Sequence, residues 1–292
     1  MISGSIVALV TPMLEDGRVD YPCLQGLVQW HIESGTDAIV SVGTTGESAT
    51  LDFDEHIEVI ARTVEFADGK LPIIGGTGAN STSEALALTQ AAQAAGVSAC
   101  LLVTPYYNKP PQAGLIRHYL HIADAVDGPL ILYNVPGRTG CDMQPRTVAA
   151  VAGHRNIVGV KEAYGTVARI QELLDLELPD FAIYSGDDAT ACESILAGAL
   201  GDISVTANVA PALMHKMCAA ALAGDRPHAE DLDAKLQPLH SDLFLQPNPI
   251  PVKWALQQMG RVQSHIRLPL IELENEYHQA VRAALRAAGA IE

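Results

Sequence analysis

Positive charge is scarce in this chain. Lys and Arg number 18 against 34 Asp and Glu, a formal net charge of −16. Such a surface repels phosphate backbones and anionic headgroups, which disfavours nucleic acid and anionic membrane, and neither is expected as a partner. An anionic small molecule would then need local cations, so any Lys or Arg at a strand end gains weight. Long apolar runs are also missing; the longest are strand-length, too short to span a bilayer. Met1 to Val7 has no basic segment and leads at once into a strand pattern, so no signal or transit peptide is expected. Cys23, Cys100, Cys141, Cys192 and Cys218 form no CxxC pair and show no ligand spacing, as expected of reduced thiols in cytoplasm. HExxH is absent, and His118-x-x-His121 has no third ligand nearby, so no metal is expected. Gly75-Gly76-Thr77-Gly78 lacks the spacing of a dinucleotide fingerprint.

What is present is repetition. Eight short apolar runs recur at Ile6–Val10, Ala38–Val42, Pro72–Gly76, Ala99–Val103, Leu130–Tyr133, Ile157–Lys161, Phe181–Ser185 and Asp202–Val205. Their starts are about 20 to 34 residues apart, the length of a βα unit. Helical periodicity fills the gaps: Leu24, Leu27, Val28, His31 and Ile32 share one face, as do Ile57, Ile60, Ala61 and Val64. Ser81-x-x-Glu84 reads as a capping box, and Pro145 suits a first helical turn. Strands alternating with helices predict a parallel sheet, and near-continuous apolar strands predict that both its faces are covered. Eight units favour a closed (β/α)8 TIM barrel over a doubly wound open sheet. We expect the barrel over residues 1–224 and a C-terminal helical region over 225–292, with Gln246-Pro247-Asn248-Pro249-Ile250-Pro251 as a rigid connector inside it.

A TIM barrel carries its chemistry at the carboxyl ends of its strands. Those ends collect Thr11, Thr44, Thr45, Thr77, Thr104, Tyr106, Tyr107, Tyr133, Ser185, Ser204 and Thr206, with Arg138 after strand five and Lys161 closing strand six. Each has a plain explanation by itself. Lys161 can snorkel to water, Thr45 can serve a turn, Tyr133 can be a core tyrosine, and Arg138 can pair with Asp142. Their coincidence at one face points to chemistry. Desolvation disfavours a charged amine, and a neutral lysine attacks ketones to form a Schiff base. Tyr133, on the adjacent strand, suits the proton shuttle that dehydration of the carbinolamine requires. The N–H groups of Gly43–Gly46 can bind a small carboxylate, and Arg138 offers a bidentate fork for a second.

Gly43-Thr44-Thr45-Gly46-Glu47, Tyr133-Asn134-Val135-Pro136 and Gly159-Val160-Lys161-Glu162-Ala163 together resemble the pyruvate-dependent class I aldolases related to N-acetylneuraminate lyase. The finer likeness is to the branch that joins pyruvate to L-aspartate 4-semialdehyde in lysine and diaminopimelate synthesis. It rests on Val103 to Asn108, Arg138-Thr139-Gly140, Ser185 to Asp188, Ile203 to Asn208 and Pro247 to Trp254. The resemblance implies a Schiff base on Lys161 with no other cofactor, and a proton relay of Tyr133, Thr45 and Tyr107 supported by Thr44. It implies pyruvate on the main chain at Thr45 and Ile203, with Gly186 also lining the substrate site, and Arg138 receiving the semialdehyde carboxylate. It further implies a homotetramer, a dimer of dimers in which Tyr107 enters the neighbouring subunit's site. Ser48, Ala49, His56, Asn80, Glu84 and Tyr106 match an L-lysine regulatory site, but Phe53 stands where lysine-sensitive relatives often carry histidine; weakened inhibition is expected. The competing readings are a sister aldolase for long sugar acids, a metal-dependent aldolase, and a non-catalytic barrel. Arg138 argues against the first, the missing ligand set against the second, and the intact lysine and hydroxyls against the third.

Overall fold

The computed structural model describes residues 1–263 and 265–292. Eight parallel strands close on themselves in chain order. They are β1 (Gly4–Ala8), β2 (Ala38–Ser41), β3 (Ile73–Gly76), β4 (Ala99–Val103), β5 (Leu130–Asn134), β6 (Ile157–Glu162), β7 (Ala182–Ser185) and β8 (Gly201–Ser204). The expected TIM barrel is therefore observed. Alternation along each strand sorts the core into two layers. Ile6, Ala8, Val40, Ile74, Leu101, Ile131, Tyr133, Tyr184 and Ile203 fill the barrel interior. Val7, Ile39, Leu102, Leu132, Val160 and Ile183 face the helices. Both faces are buried, which is why the strands read as continuous apolar runs.

The largest boundary shift is in β1, which starts and ends two residues earlier than the apolar run suggested. Closure decides this: Gly4 pairs with Gly201, and a Cβ on Gly201 would lie 2.2 Å from the Gly4 carbonyl oxygen. Leu9 and Val10 continue past the ladder, where Val10 N–H donates to Asn208 Oδ1 at 3.0 Å. The capping box is not formed. Ser81 flanks helix Thr82–Ala94 without a side-chain cap, its hydroxyl bonding Ser83 instead at 3.0 Å, and Glu84 is left free of that task. Pro145 does open helix Pro145–Ala152. After the barrel come helices Pro211–Leu222, Arg226–Asp242, Ile250–Gln258 and His278–Ala287. Among the described residues no helix is long and apolar enough to cross a membrane.

Candidate active site

The register of β5 on β6 sets Tyr133 beside Lys161 and Asn134 beside Glu162. Tyr133 and Lys161 point into the barrel; their neighbours point out toward the helices. The Lys161 ammonium lies over the Tyr133 ring, 4.4 Å from its centroid, and Lys161 is only 5% exposed. Among the described residues it has no hydrogen-bond partner, so the π face is the chief group that substitutes for water. Gly186, at the end of β7, makes room for it. A Cβ there would meet Lys161 Cε at 2.6 Å and Cγ at 2.9 Å. Above the pair opens a cavity of about 130 Å³, lined by Thr44, Thr45, Tyr133, Arg138, Lys161, Gly186, Phe244 and Asn248 among others.

The threonines arrive on a strained turn. Val42 and Glu47, on either side of Gly43–Gly46, have φ of +57° and +58°, a region costly for non-glycine residues. The turn consumes the Gly46 N–H on the Gly43 carbonyl at 3.0 Å. Of the amides expected to bind a carboxylate, Thr44 and Thr45 keep theirs uncommitted among the described residues. Residues distant in sequence hold the turn. Thr11 Oγ1 donates to the Gly46 carbonyl at 2.7 Å. Lys253 Nζ donates to Glu47 Oε1 at 2.5 Å and to the Thr11 carbonyl at 3.1 Å. Both side chains of that ion pair are 2% exposed. Burial lowers the Lys253 pKa, and Glu47 opposes that shift. Arg267 N–H donates to the other Glu47 oxygen at 3.0 Å.

Arg138 stands on the short helix Pro136–Thr139 at the cavity mouth. The surface pairing with Asp142 considered above does not form. Asp142 instead receives the Arg169 guanidinium bidentately at 2.9 and 3.0 Å, which holds its carboxyl below the usual range. Arg138 Nη2 donates to the Asn248 carbonyl at 3.1 Å, and Asn248 Nδ2 donates to Thr45 Oγ1 at 2.9 Å. Asn248 thus joins the arginine to the threonine. Its own Oδ1 is buried without a protein partner.

The model of the dihydrodipicolinate synthetase family matches residues 1–288. The chain belongs to this family. A relative from Methylococcus capsulatus named 4-hydroxy-tetrahydrodipicolinate synthase is 62% identical over 291 residues, covering 100% of both chains. The chloride-inhibited dihydrodipicolinate synthase of Acinetobacter baumannii, solved in complex with pyruvate, is 55% identical with a TM-score of 0.98 over 100% of both chains. A monomeric dihydrodipicolinate synthase variant is 40% identical with a TM-score of 0.97, covering 99% of this chain and 98% of its own.

In this dihydrodipicolinate synthetase family chain, the strand-end hydroxyls do not all face the cavity. Thr77 is bonded to Thr89, Thr104 to Thr139, Ser204 to Asp188 and Thr206 to His240, each in the layer between barrel and helices or loops. Thr44, Thr45 and Tyr133 remain beside Lys161. The Ile203 side chain lies in the barrel interior, and Val205 rather than Ile203 lines the cavity. Tyr107 lies outside it, 89% exposed, with φ of +72°. A second cavity of about 350 Å³ takes in Ser48, Ala49, Phe53, His56, Glu84 and Tyr106, and Thr44 and Arg138 line it as well. Asn80 is not among its lining residues; its carbonyl accepts from Asn108 Nδ2 at 2.9 Å. His56 Nε2 lies 2.7 Å from the Gly76 carbonyl, and burial lowers its pKa. His118 is likewise structural: its Nδ1 meets Thr82 Oγ1 at 2.9 Å, and burial pushes it down to about 4. All five cysteines are free. Among the described residues no three His, Cys, Asp or Glu side chains gather as a metal site. Sequence reasoning missed the parts played by Asn248 and Lys253. Their clue is the proline-rich run, with Asn248 inside it and Lys253 just after it, and nothing local says where it docks.

Proposed function

We propose that the chain condenses pyruvate with L-aspartate 4-semialdehyde to give 4-hydroxy-tetrahydrodipicolinate and one water, as a lyase of the class I aldolase type in lysine and diaminopimelate synthesis. The observation that carries this reading is the buried Lys161 amine, set against the Tyr133 ring below a cavity that also holds Thr44, Thr45 and Arg138. The names of the relatives, at up to 62% identity, support the same product, and the pyruvate complex of the Acinetobacter baumannii enzyme supports the first substrate.

Lys161 Nζ attacks the pyruvate ketone, and the resulting carbinolamine loses water to form the imine. A proton leaves the methyl group, and the enamine carbon attacks the semialdehyde. The substrate's own amine then displaces Lys161 and closes the ring. Tyr133, Thr45 and Tyr107, supported by Thr44, form the proton relay. The main chain at Thr45 and Ile203 receives pyruvate, Gly186 borders the imine, and Arg138 binds the semialdehyde carboxylate by a charge-assisted bond. The Lys161 imine replaces any cofactor. Residues 1–224 supply these groups, and residues 225–292 brace them through Asn248 and Lys253. The free cysteines and the biosynthetic reaction suit a cytoplasmic enzyme.

Self-association as a homotetramer, a dimer of dimers, is part of this reading. Tyr107, Tyr106 and Phe53 are 89%, 37% and 46% exposed, which supports a partner subunit covering them. The experiment is to trap pyruvate on the enzyme with borohydride, map the added mass, and determine the assembly of the same sample by light scattering. An adduct on Lys161 in a tetramer is the expected result. Folded protein without an adduct would remove the lysine from the mechanism, and a monomer with full activity would remove Tyr107 from the relay.

A further inference from the structure

Behind the reactive pair, on the outer face of the same two strands, lies a second pair. Asn134 follows Tyr133 and Glu162 follows Lys161, and the register sets them opposite each other. Asn134 is 0% and Glu162 3% exposed. Asn134 Nδ2 donates to both Glu162 oxygens, at 3.0 and 3.1 Å, and to Asp142 Oδ1 at 2.9 Å. Its Oδ1 accepts the Met143 N–H at 2.8 Å, which fixes the orientation of the amide. Glu162 Oε1 also accepts the Tyr164 N–H at 2.9 Å. Arg169 stands 3.6 Å from Glu162 Oε2 while it grips Asp142.

We infer that Asn134 and Glu162 are positioning residues that hold Tyr133 and Lys161 at reactive spacing. The claim rests on the assignment of Lys161 as the Schiff-base nucleophile. Its physical basis is the pleat. Successive side chains leave opposite faces of a strand, so a hydrogen bond on the outer face fixes the relative height of the two inner neighbours. The register slips between Leu130 and Ile131 and is regular from there to Asn134 and Glu162, so the outer-face pair closes the ladder at the end where the reactive side chains stand. Past the end of the ladder one further backbone bond follows, Ala163 N–H to the Asn134 carbonyl at 2.9 Å, and the side-chain bonds add to it. A carboxylate in so apolar a layer is costly, and burial pushes the Glu162 pKa up to about 7. An apolar side chain would pack there without that cost but could not tie Asn134 to the β6 end.

Simple structural support and positioning predict different kinetics. A misplaced nucleophile slows imine formation while pyruvate still binds; a loosened fold lowers the amount of active enzyme and its melting temperature. The experiment measures the rate of borohydride-trapped adduct at saturating pyruvate, and KM for pyruvate, in folded full-length enzyme well below its melting temperature. Glu162→Ala is expected to form adduct about 100-fold more slowly, the loss that accompanies a displacement near 1 Å. KM should change far less than that rate. Glu162→Gln keeps one acceptor for Asn134 and is expected to recover to about threefold to tenfold below wild type. A folded alanine variant trapped at the wild-type rate overturns the inference, and so does a folded glutamine variant as slow as the alanine one. Should Glu162→Ala not fold, Arg169→Met decides. It loosens the network from the helix side, and a wild-type trapping rate there overturns the proposal, whereas a slower rate at unchanged KM upholds it. Absence of adduct in the wild type would instead sink the assignment of Lys161, so the two failures are distinguishable.

Discussion

Glu47 and Glu162 are both buried carboxylates behind the cavity, at 5% and 3% exposure, yet they are held in opposite ways. Glu47 has a full ammonium, Lys253 Nζ, at 2.5 Å. Glu162 has an amide, a backbone N–H and a guanidinium that comes no nearer than 3.6 Å. For Glu162, desolvation outweighs those partners and raises its pKa to about 7. Similar burial is thus met by different partners, an ammonium in one case and an amide network in the other. The ion pair anchors a strained turn that must not move. The amide network ties two strand ends whose spacing sets the chemistry.

The most damaging way to break the contrast is Lys253→Met. It leaves Glu47 buried without its cation, and we expect a loss of about 3 to 5 kcal/mol in urea unfolding, with poorer use of pyruvate as the Thr44–Thr45 turn relaxes. Lys253→Met combined with Glu47→Gln should regain part of that stability. If the single variant unfolds at the wild-type midpoint, the turn is held by something other than the ion pair.

Glu162 gives the next largest effect, and its sign follows from linkage. Its folded pKa lies above the ordinary value of 4.5, so the folded protein holds this proton more tightly than the unfolded chain does. The stabilisation is fully present below about pH 4.5 and is lost as pH rises through about 7. Glu162→Gln does not titrate. Its stability relative to wild type should therefore rise between pH 5 and 8 by up to roughly 3 kcal/mol. Unfolding midpoints measured across that range check it, and a constant difference would mean that the network holds Glu162 ionised throughout.

A third carboxylate extends the comparison to the smallest effect. Glu84 lines the larger cavity but is solvent-exposed, and among the described residues no cation pairs with it. Beside the proposed subunit contact at Phe53 and Tyr106, an L-lysine ammonium would gain this carboxylate but find the Phe53 ring in place of an imidazole. We propose that lysine inhibition is weak, and that submillimolar L-lysine leaves the condensation rate nearly unchanged. Strong inhibition in that titration would show that His56 and Tyr106 suffice.

The barrel was legible because its strands are buried on both faces and its helices on one, so period and spacing carry the architecture. Lys161, Tyr133 and Arg138 were legible because strand ends carry the site in this fold, and the cavity gathers all three. Thr77, Thr104, Ser204 and Thr206 show the limit of that rule. They sit at or just past strand ends too, but their hydroxyls bond helix- and loop-side partners. Ser81 and Glu84 failed as a capping box because a local motif competes with its surroundings, and Ser83 took the Ser81 hydroxyl. Asn248 and Lys253 were illegible as site residues, since their partners Thr45 and Glu47 lie about 200 residues away.

The sequence by itself determined the eightfold βα order, the strand ending in Lys161 and the tyrosine one strand away, because these depend on periodicity and on side chains near in the chain. Tertiary structure alone decided which hydroxyls meet the lysine, which cation holds Glu47, and that Asn134 faces Glu162 behind the reactive pair. Those outcomes depend on register, closure and desolvation, which arise only when distant segments share one low-dielectric interior.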